Sequence, residues 1–145
     1  MIDVRIQTEA FDSAALLASL EADGVGAISS FTGLVRSDDG VTAIELEHYP
    51  AMTEASLRAV ATEALSRWNL SGAIIIHRVG KMAVGEPIVF VAAASAHRAE
   101  ALAACAFLID RLKTDAPFWK KEYRGEQAQW VEAKASDDEN SAKWR

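Results

Sequence analysis

Three lysines surround a proline and two large aromatic residues in the stretch LKTDAPFWKKEYRG. Lys113 precedes the proline, while Lys120 and Lys121 follow it. Apolar surroundings lower the pKa of a lysine and make it a usable acid, base or nucleophile. Since consecutive residues of a strand point to opposite faces, we expect only one of the last two lysines to share a pocket with Lys113, walled by Phe118 or Trp119. On charge alone, a solvated surface explains the three lysines equally well.

A second candidate site is SAHR, residues 95–98, at the predicted start of the longest helix. Ser95 is a suitable N-cap residue, and His97 and Arg98 then fall in the first turn. The free N–H groups and positive dipole end of a helix N-terminus attract anions, so with an imidazole and a guanidinium they could bind a phosphate or carboxylate. The alternative is that Arg98 pairs with a nearby glutamate and that His97 packs in its neutral form.

A third candidate is Arg36, which follows the predicted strand in FTGLVR and directly precedes a turn. Functional groups often lie where a rigid strand runs into a loop. Arginine is also common at strand ends, so this signal is weak by itself. His48, His77 and Arg78 also end predicted strands, and we expect these three residues to be structural.

The sequence predicts no metal centre, because three scattered histidines and the single Cys105 do not form a ligand set. Cys105 falls on the apolar face of a predicted helix, which is typical of a core residue. The sequence contains neither a glycine-rich phosphate loop nor a nucleophile elbow.

The composition predicts one globular domain over residues 1–145, with a polar and flexible tail from about residue 134. The formal net charge of −6 argues against a nucleic-acid-binding protein, which needs a basic surface. Residues 97–124 nevertheless carry six basic and four acidic groups. A local excess of positive charge in an acidic protein suits a small anionic ligand better than a polyanion.

No apolar run approaches the ~20 residues that a membrane helix needs, so we expect no membrane association. The N-terminus MIDVRIQTEAF lacks the basic start and apolar stretch of a signal peptide. One cysteine cannot form an internal disulfide, and this suits a reducing compartment. We therefore expect a cytoplasmic protein.

Hydrophobic periodicity predicts seven strands and three helices. The strands are expected at residues 2–8, 26–35, 41–49, 72–80, 87–95, 118–124 and 127–133, with 26–35 largely buried. The helices are expected at about 12–22, from Thr53 onward, and at about 96–114, where Pro117 ends the third helix. The apolar stripe of that third helix is predicted to comprise Leu102, Cys105, Ala106, Ile109 and Leu112. This irregular mixture predicts an α+β domain with a mixed sheet.

Six stretches, taken together and in this order, resemble the large catalytic subunit of molybdopterin synthase. They are FTGLVR, LEHYPAMTEASL, IHRVG, GEPIVFVAAASAHR, LKTDAPFWKKE and WVEA. The similarity runs from the second strand to the tail, and the combination of EHYPAMTE, SAHR and LKTDAPFWKKE is specific.

The resemblance implies a sulfurtransferase of molybdenum cofactor biosynthesis with an α/β-hammerhead fold and an additional small antiparallel β-sheet. Such an enzyme has no cofactor of its own: its substrate is cyclic pyranopterin monophosphate, and its product is molybdopterin with a dithiolene. Sulfur arrives as the C-terminal Gly-Gly thiocarboxylate of a small ubiquitin-like subunit. The assembly implied is a homodimer of large subunits within a heterotetramer.

The resemblance also implies roles for individual residues. Lys113 and Lys120 match the catalytic lysines of the family. The substrate-binding positions are matched by Leu34, Val35, Arg36, His97, Arg98, Lys121 and Glu122. Leu34 departs from the family, which often has a basic residue there, so Leu34 cannot contact an anion by charge.

Helix geometry adds a constraint on these roles. Arg98 and Lys113 are 15 residues apart on one predicted helix, which separates them by roughly 22 Å along its axis. We therefore expect His97 and Arg98 to act across a dimer interface, at a site built around the neighbour's Lys113 and Lys120. Two other interpretations stay open: a non-catalytic anion-binding or adaptor domain of the same fold, and a different lysine-dependent enzyme acting on a phosphorylated metabolite.

Overall fold

The computed structural model describes residues 1–131 and 142–144. The described part contains three α-helices, eight strands and a short 3-10 helix, Asp38–Gly40. The helices are α1 (Ser13–Ser19), α2 (Pro50–Trp68) and α3 (Arg98–Asp115). The strands are β1 (Ile2–Gln7), β2 (Ala27–Leu34), β3 (Ala43–His48), β4 (Gly72–Arg78), β5 (Gly80–Ala83), β6 (Pro87–Ser95), β7 (Phe118–Arg124) and β8 (Gln127–Val131). The tail predicted from about residue 134 falls largely outside the described residues.

The strands form two four-stranded sheets. The first has the order β1-β4-β6-β2 and is mixed, because β1 pairs with β4 in parallel and the other pairs are antiparallel. The second has the order β5-β3-β7-β8 and is antiparallel throughout. The predicted α+β class with a mixed sheet and a second, antiparallel sheet is confirmed.

Hydrophobic side chains fill both faces of the first sheet. On one face, Ile75 and Val91 pack with Leu57 of α2 and Phe107 of α3 in the main core. On the other face, a smaller cluster forms around Phe90 with residues of α1. Strand β4 is therefore buried along its whole length, which explains its continuous apolar sequence.

The prediction that residues 26–35 form a largely buried strand is wrong. Strand β2 pairs only with β6 and forms the edge of its sheet. Its middle residues Ser30, Phe31 and Thr32 are exposed, and 41% of the surface of Phe31 is accessible. Apolar composition predicted burial here, although an edge position leaves such a strand open to solvent.

The predicted apolar stripe of α3 is wrong in part. Leu102 is 60% exposed and Ala106 is also exposed, whereas Ala104, Phe107 and Leu108 are fully buried. The helix is rich in alanine, so its periodicity does not single out one face. Its orientation is set by packing against α2, β6 and β2.

The predicted starts of two helices also need correction. Helix α2 begins at Pro50 and not at Thr53, because proline fits the first turn, where its missing N–H is not needed. Helix α3 is capped by His97 and not by Ser95, which is the buried last residue of β6 and is committed to the strand ladder. The short strand β5 was not predicted.

Trp144, in the second described segment, packs on the helices. Its indole lies against Trp68 of α2 and Phe107 of α3, and its Nε1 donates a hydrogen bond to Asp110 at 2.6 Å. Arg67 donates a hydrogen bond to the Trp144 carbonyl at 2.7 Å. Residue 144 is therefore anchored on the helical layer. None of the helices in the described part of the chain combines the length and hydropathy required to span a bilayer.

Candidate active site

A cavity of about 360 Å³ lies between the two sheets and the C-terminal end of α3. Aliphatic side chains and Phe118 form much of its wall. Its described charged lining residues are Arg36, Asp38, Asp39, Lys113, Lys120 and Glu122. An apolar enclosure with a few convergent polar groups is the usual form of a small-molecule or peptide site.

The turn between α3 and β7 brings two lysines into this cavity. Lys113 lies in the last turn of α3, and the helix ends at Asp115, before the C-cap residue Ala116, whose backbone is extended (φ −90°, ψ 130°). Pro117 enforces this ending, as predicted. Strand β7 begins at Phe118, so Lys120 returns alongside the helix end and lines the same cavity as Lys113.

The alternation of β7 separates the two neighbouring lysines. Phe118, Lys120 and Glu122 line the cavity. Lys121 lies on the opposite face, where its Nζ is 4.8 Å from the ring centroid of Trp130. Trp119 also points away and stacks edge-on against Tyr49, with 4.3 Å between ring centroids. The structure therefore brings Lys113, Lys120 and Glu122 together, and it places Lys121 outside the cavity.

The end of β2 supplies Leu34, Val35 and Arg36 to the same cavity. Val35 is buried and exchanges backbone hydrogen bonds with the turn before β6, donating to Glu86 O at 3.0 Å and accepting from Gly85 N at 2.9 Å. This pairing fixes the strand end. Leu34 is 54% exposed and contributes only apolar surface.

Opposite charges are balanced in the cavity of one chain. The three cations Arg36, Lys113 and Lys120 face three carboxylates in the described lining. Arg36 lies 3.3 Å from Asp38, and Lys120 lies 3.8 Å from Glu122, measured between nitrogen and oxygen. Within residues 1–131 and 142–144, the lining therefore offers an anion little net positive charge.

His97 and Arg98 lie at the opposite end of α3 from Lys113. His97 caps the helix and lines a second cavity of about 380 Å³ together with Arg67 and Glu100. Arg98 forms no ion pair within residues 1–131 and 142–144. The alternative prediction, that Arg98 pairs with a nearby glutamate, is therefore not observed there. The structure does not bring His97 and Arg98 to the lysines of the same chain.

His77 is a cavity residue that sequence reasoning assigned to a structural role. It is 4% exposed, lines the cavity, and stacks on Phe118 with 4.1 Å between ring centroids and 26° between planes. The pKa of His77 is lowered from 6.5 to about 3, mainly by burial; a backbone hydrogen bond to Arg78 raises it, and the nearby Lys113 and His48 contribute to lowering it. Side chains of β4 alternate between the two faces of the sheet, so His77 lies on the same face as Ile75. This alternation was the sequence signal that could have identified His77 as a cavity residue.

Arg78, by contrast, is structural, as expected. Its buried guanidinium donates hydrogen bonds to the carbonyls of Thr8 and Pro87 and to the Glu86 carboxylate. These bonds join the ends of β1, β4 and β6. Within the described residues, no group of three or more His, Cys, Asp or Glu side chains is arranged to hold a metal ion.

Comparisons with known proteins connect this geometry to a family. The model of a family described as MoaE protein matches residues 6–115. The molybdopterin synthase catalytic subunit of Mesorhizobium japonicum is 52% identical over 148 residues, an alignment covering 98% of this chain and 92% of the relative.

Solved structures give the same result at the level of the fold. A molybdopterin biosynthesis MoaE protein from Burkholderia ambifaria superposes with a TM-score of 0.86 at 46% identity, covering 99% of this chain and 98% of that one. The fold also matches, with a TM-score of 0.73 at 20% identity and 90% coverage of both chains, in a protein–protein complex of subunits 1 and 2 of molybdopterin-converting factor from Helicobacter pylori.

Proposed function

This chain belongs to the MoaE protein family, and on that premise we propose that it is the catalytic subunit of a molybdopterin synthase. In the proposed reaction it transfers sulfur from the C-terminal thiocarboxylate of a small ubiquitin-like subunit to cyclic pyranopterin monophosphate. The product is the dithiolene of molybdopterin. The observation that carries the proposal is the cavity in which Lys113 and Lys120 meet across the turn at Pro117.

Lys113 is the proposed binding partner of the thiocarboxylate. It lies beside the apolar wall formed by Leu112, Ala116 and Phe118, which suits an extended glycine-rich chain end with a single negative charge. A fixed ammonium at this point stabilises the charge that develops as sulfur attacks the pterin. Sulfur keeps its oxidation state during such a transfer, so the proposed step requires no redox cofactor.

Lys120 is the proposed proton-transfer group. Its Nζ lies 3.8 Å from the Glu122 carboxylate, so a proton donor and a proton acceptor are adjacent at the cavity wall. Proton transfer is needed when the ring of the substrate opens and water leaves. Glu122 positions the lysine in this proposal, and Arg124, 3.3 Å from Glu122, holds the carboxylate from the other side.

The phosphate of the substrate calls for further cations, because the described lining of the cavity is balanced in charge. Arg36 supplies one guanidinium. We propose that His97 and Arg98 of a second copy supply the others in a homodimer, since α3 holds its own His97 and Arg98 at the end remote from Lys113. With one small subunit on each copy, the assembly is a heterotetramer.

Reconstitution tests the proposal. The chain is incubated with thiocarboxylated small subunit and cyclic pyranopterin monophosphate, and dithiolene formation is measured. The small subunit with an ordinary C-terminal carboxylate and the Lys113→Ala variant serve as controls, and neither should give product. An absence of dithiolene with the unaltered chain, under conditions in which an established synthase forms it, would refute the catalytic function; binding of the small subunit without product would point to an adaptor.

A further inference from the structure

Helix α3 carries a row of mostly apolar residues on its outward surface. The members of this row follow one another at intervals of three and four positions, so they share one face of the helix: Ala99, Leu102, Ala106, Ile109 and Lys113. Leu102 is 60% exposed, and Ala106 is exposed as well. The row runs from the end of α3 that carries Arg98 to the end that carries Lys113.

Contacts on two sides of α3 show which way this row faces. On one side, Arg111 donates hydrogen bonds to Glu63 of α2. On the other side, a hydrogen bond joins Cys105 to Ser29 of β2. Successive residues are turned by about 100° around a helix axis, which places the row next to Cys105 and roughly opposite Arg111. The row therefore faces away from α2, on the side of α3 where the first sheet ends.

Strand β2 widens this apolar surface. It is the edge strand of its sheet, and Phe31 lies directly opposite Val91 of β6. Paired residues share a face of the sheet, and Val91 belongs to the core beneath α2 and α3, so Phe31 projects on the side of α3. Phe31 is 41% exposed. We call the surface formed by Phe31, Leu102, Ala106 and Ile109 the α3–β2 face; exposed apolar surfaces of this kind mark interaction sites.

The two ends of α3 indicate what binds to this face. Ala106 lies close to the midpoint between Arg98 and Lys113. A two-fold axis perpendicular to α3 at this point would set a partner's α3 antiparallel to the first and bring the partner's Arg98 to the end that carries Lys113. Leu102 and Ile109 share the same midpoint, so each would lie across from the other in the partner. The face is thus complementary to itself.

The charge of Arg98 also favours an antiparallel pair. Arg98 is the first residue of α3, where the positive end of the helix dipole disfavours a cation. Within residues 1–131 and 142–144, Arg98 has no ion pair to offset this. In the antiparallel pair it would lie at the negative end of the partner helix, which favours a cation. The small side chain of Ala106 at the axis allows the two helices to approach closely.

We propose that the α3–β2 face is the interface between two copies of this chain, with the two α3 helices antiparallel and the two-fold axis at Ala106. The inference deepens the proposed function and rests on it, because that function takes His97 and Arg98 from a second copy. It specifies which surface of the chain completes the active site of the other copy.

Sedimentation velocity of the full chain tests the interface. The unaltered chain should sediment as a dimer. Leu102→Glu places one carboxylate from each copy in the interface and should weaken dimerisation by roughly 100-fold or more. Met52→Glu, the matched change at a side chain that is 59% exposed on α2, should leave the dimer unchanged. Leu102 is 60% exposed in the single chain, so Leu102→Glu should keep the circular dichroism spectrum of the folded protein.

Cross-linking tests the position of the axis. Ala106→Cys places a thiol beside the axis in each copy, and a short bis-maleimide should join the two copies covalently. Met52→Cys should not be joined, and neither should the unaltered chain, whose Cys105 is buried. A monomeric unaltered chain, an unchanged dimer in Leu102→Glu, or an absence of cross-linking in Ala106→Cys would overturn the proposed interface.

Both measurements require neither the substrate nor the small subunit. If the chain dimerises through this face and yet forms no dithiolene on reconstitution, the proposed function is refuted and the interface stands. If dithiolene forms but Leu102→Glu stays dimeric, the proposed function stands and this interface is wrong.

Discussion

Thr53 of α2 donates a hydrogen bond from Oγ1 to the carbonyl of Pro117, at 2.9 Å, across 64 residues of sequence. The same oxygen accepts a hydrogen bond from the Tyr49 backbone N–H at 3.1 Å. Thr53 is fully buried, so one hydroxyl ties the start of α2 to the turn that separates Lys113 from Lys120. The position of both lysines therefore depends on a residue that lines no part of the cavity.

The Thr53→Val variant is expected to lose stability and activity together. Valine preserves the shape and leaves two partly buried backbone groups without their partner, which costs about 1 kcal/mol in the free energy of unfolding. Urea denaturation measures the loss. Ser66→Ala, which removes an exposed hydroxyl from the same helix, should change stability little. Equal stability of Thr53→Val and the unaltered chain would show that the two hydrogen bonds of Thr53 do not stabilise the fold.

Lysine replacements should separate the two faces of β7. Lys113→Ala and Lys120→Ala each remove a cation from the cavity and should lower the rate of dithiolene formation by roughly 100-fold or more. Lys121→Ala should lose far less, because Lys121 lies over Trp130 on the opposite face. Lys81→Ala, at an exposed lysine on β5 over the Tyr123 ring, is the control for loss of surface charge. A defect in Lys121→Ala as large as that in Lys120→Ala would mean that the outer face also contacts the substrate.

Complementation should reveal a shared site. Heterodimers of an Arg98→Ala chain and a Lys113→Ala chain combine both changes in one site and leave the other intact, so they should regain about half of the unaltered activity. The two homodimeric variants should stay inactive. Tagged copies of the two variants allow the mixed dimer to be purified and assayed. If the mixed dimer is no more active than either parent, each chain must carry a complete site.

His77 should make stability depend on pH. Its pKa is lowered from 6.5 to about 3 in the folded protein, so between these values the unfolded chain binds a proton that the folded chain does not. Stability is therefore unaffected by this group above pH 6.5 and falls as the pH decreases, by at most about 1.4 kcal/mol per pH unit.

Urea denaturation of the unaltered chain and of His77→Phe checks this dependence. Between about pH 7 and about pH 5, the variant should lose less stability than the unaltered chain. His48→Gln removes a partly exposed histidine and should retain the slope of the unaltered chain. Parallel curves for the unaltered chain and His77→Phe would contradict the buried neutral state.

Local sequence patterns predicted the positions of the site lysines better than they predicted the structure around the site. The alternation of β7 and the break at Pro117 are properties of adjacent residues, and they correctly predicted that one lysine of the neighbouring pair joins Lys113. The stack of Phe118 on His77 joins residues 41 positions apart, and no local pattern encodes it. The exposure of β2 depends likewise on its place at the sheet edge, which its apolar sequence does not specify.

Helix α3 carries residues with proposed functions at both of its ends, and this limits how the length of the chain can vary. One inserted residue would lengthen the helix by about 1.5 Å and rotate everything beyond it by about 100°. Such a rotation would turn Lys113 out of its cavity while leaving His97 and Arg98 in place. The number of residues between Arg98 and Lys113 is therefore as restricted as their identities.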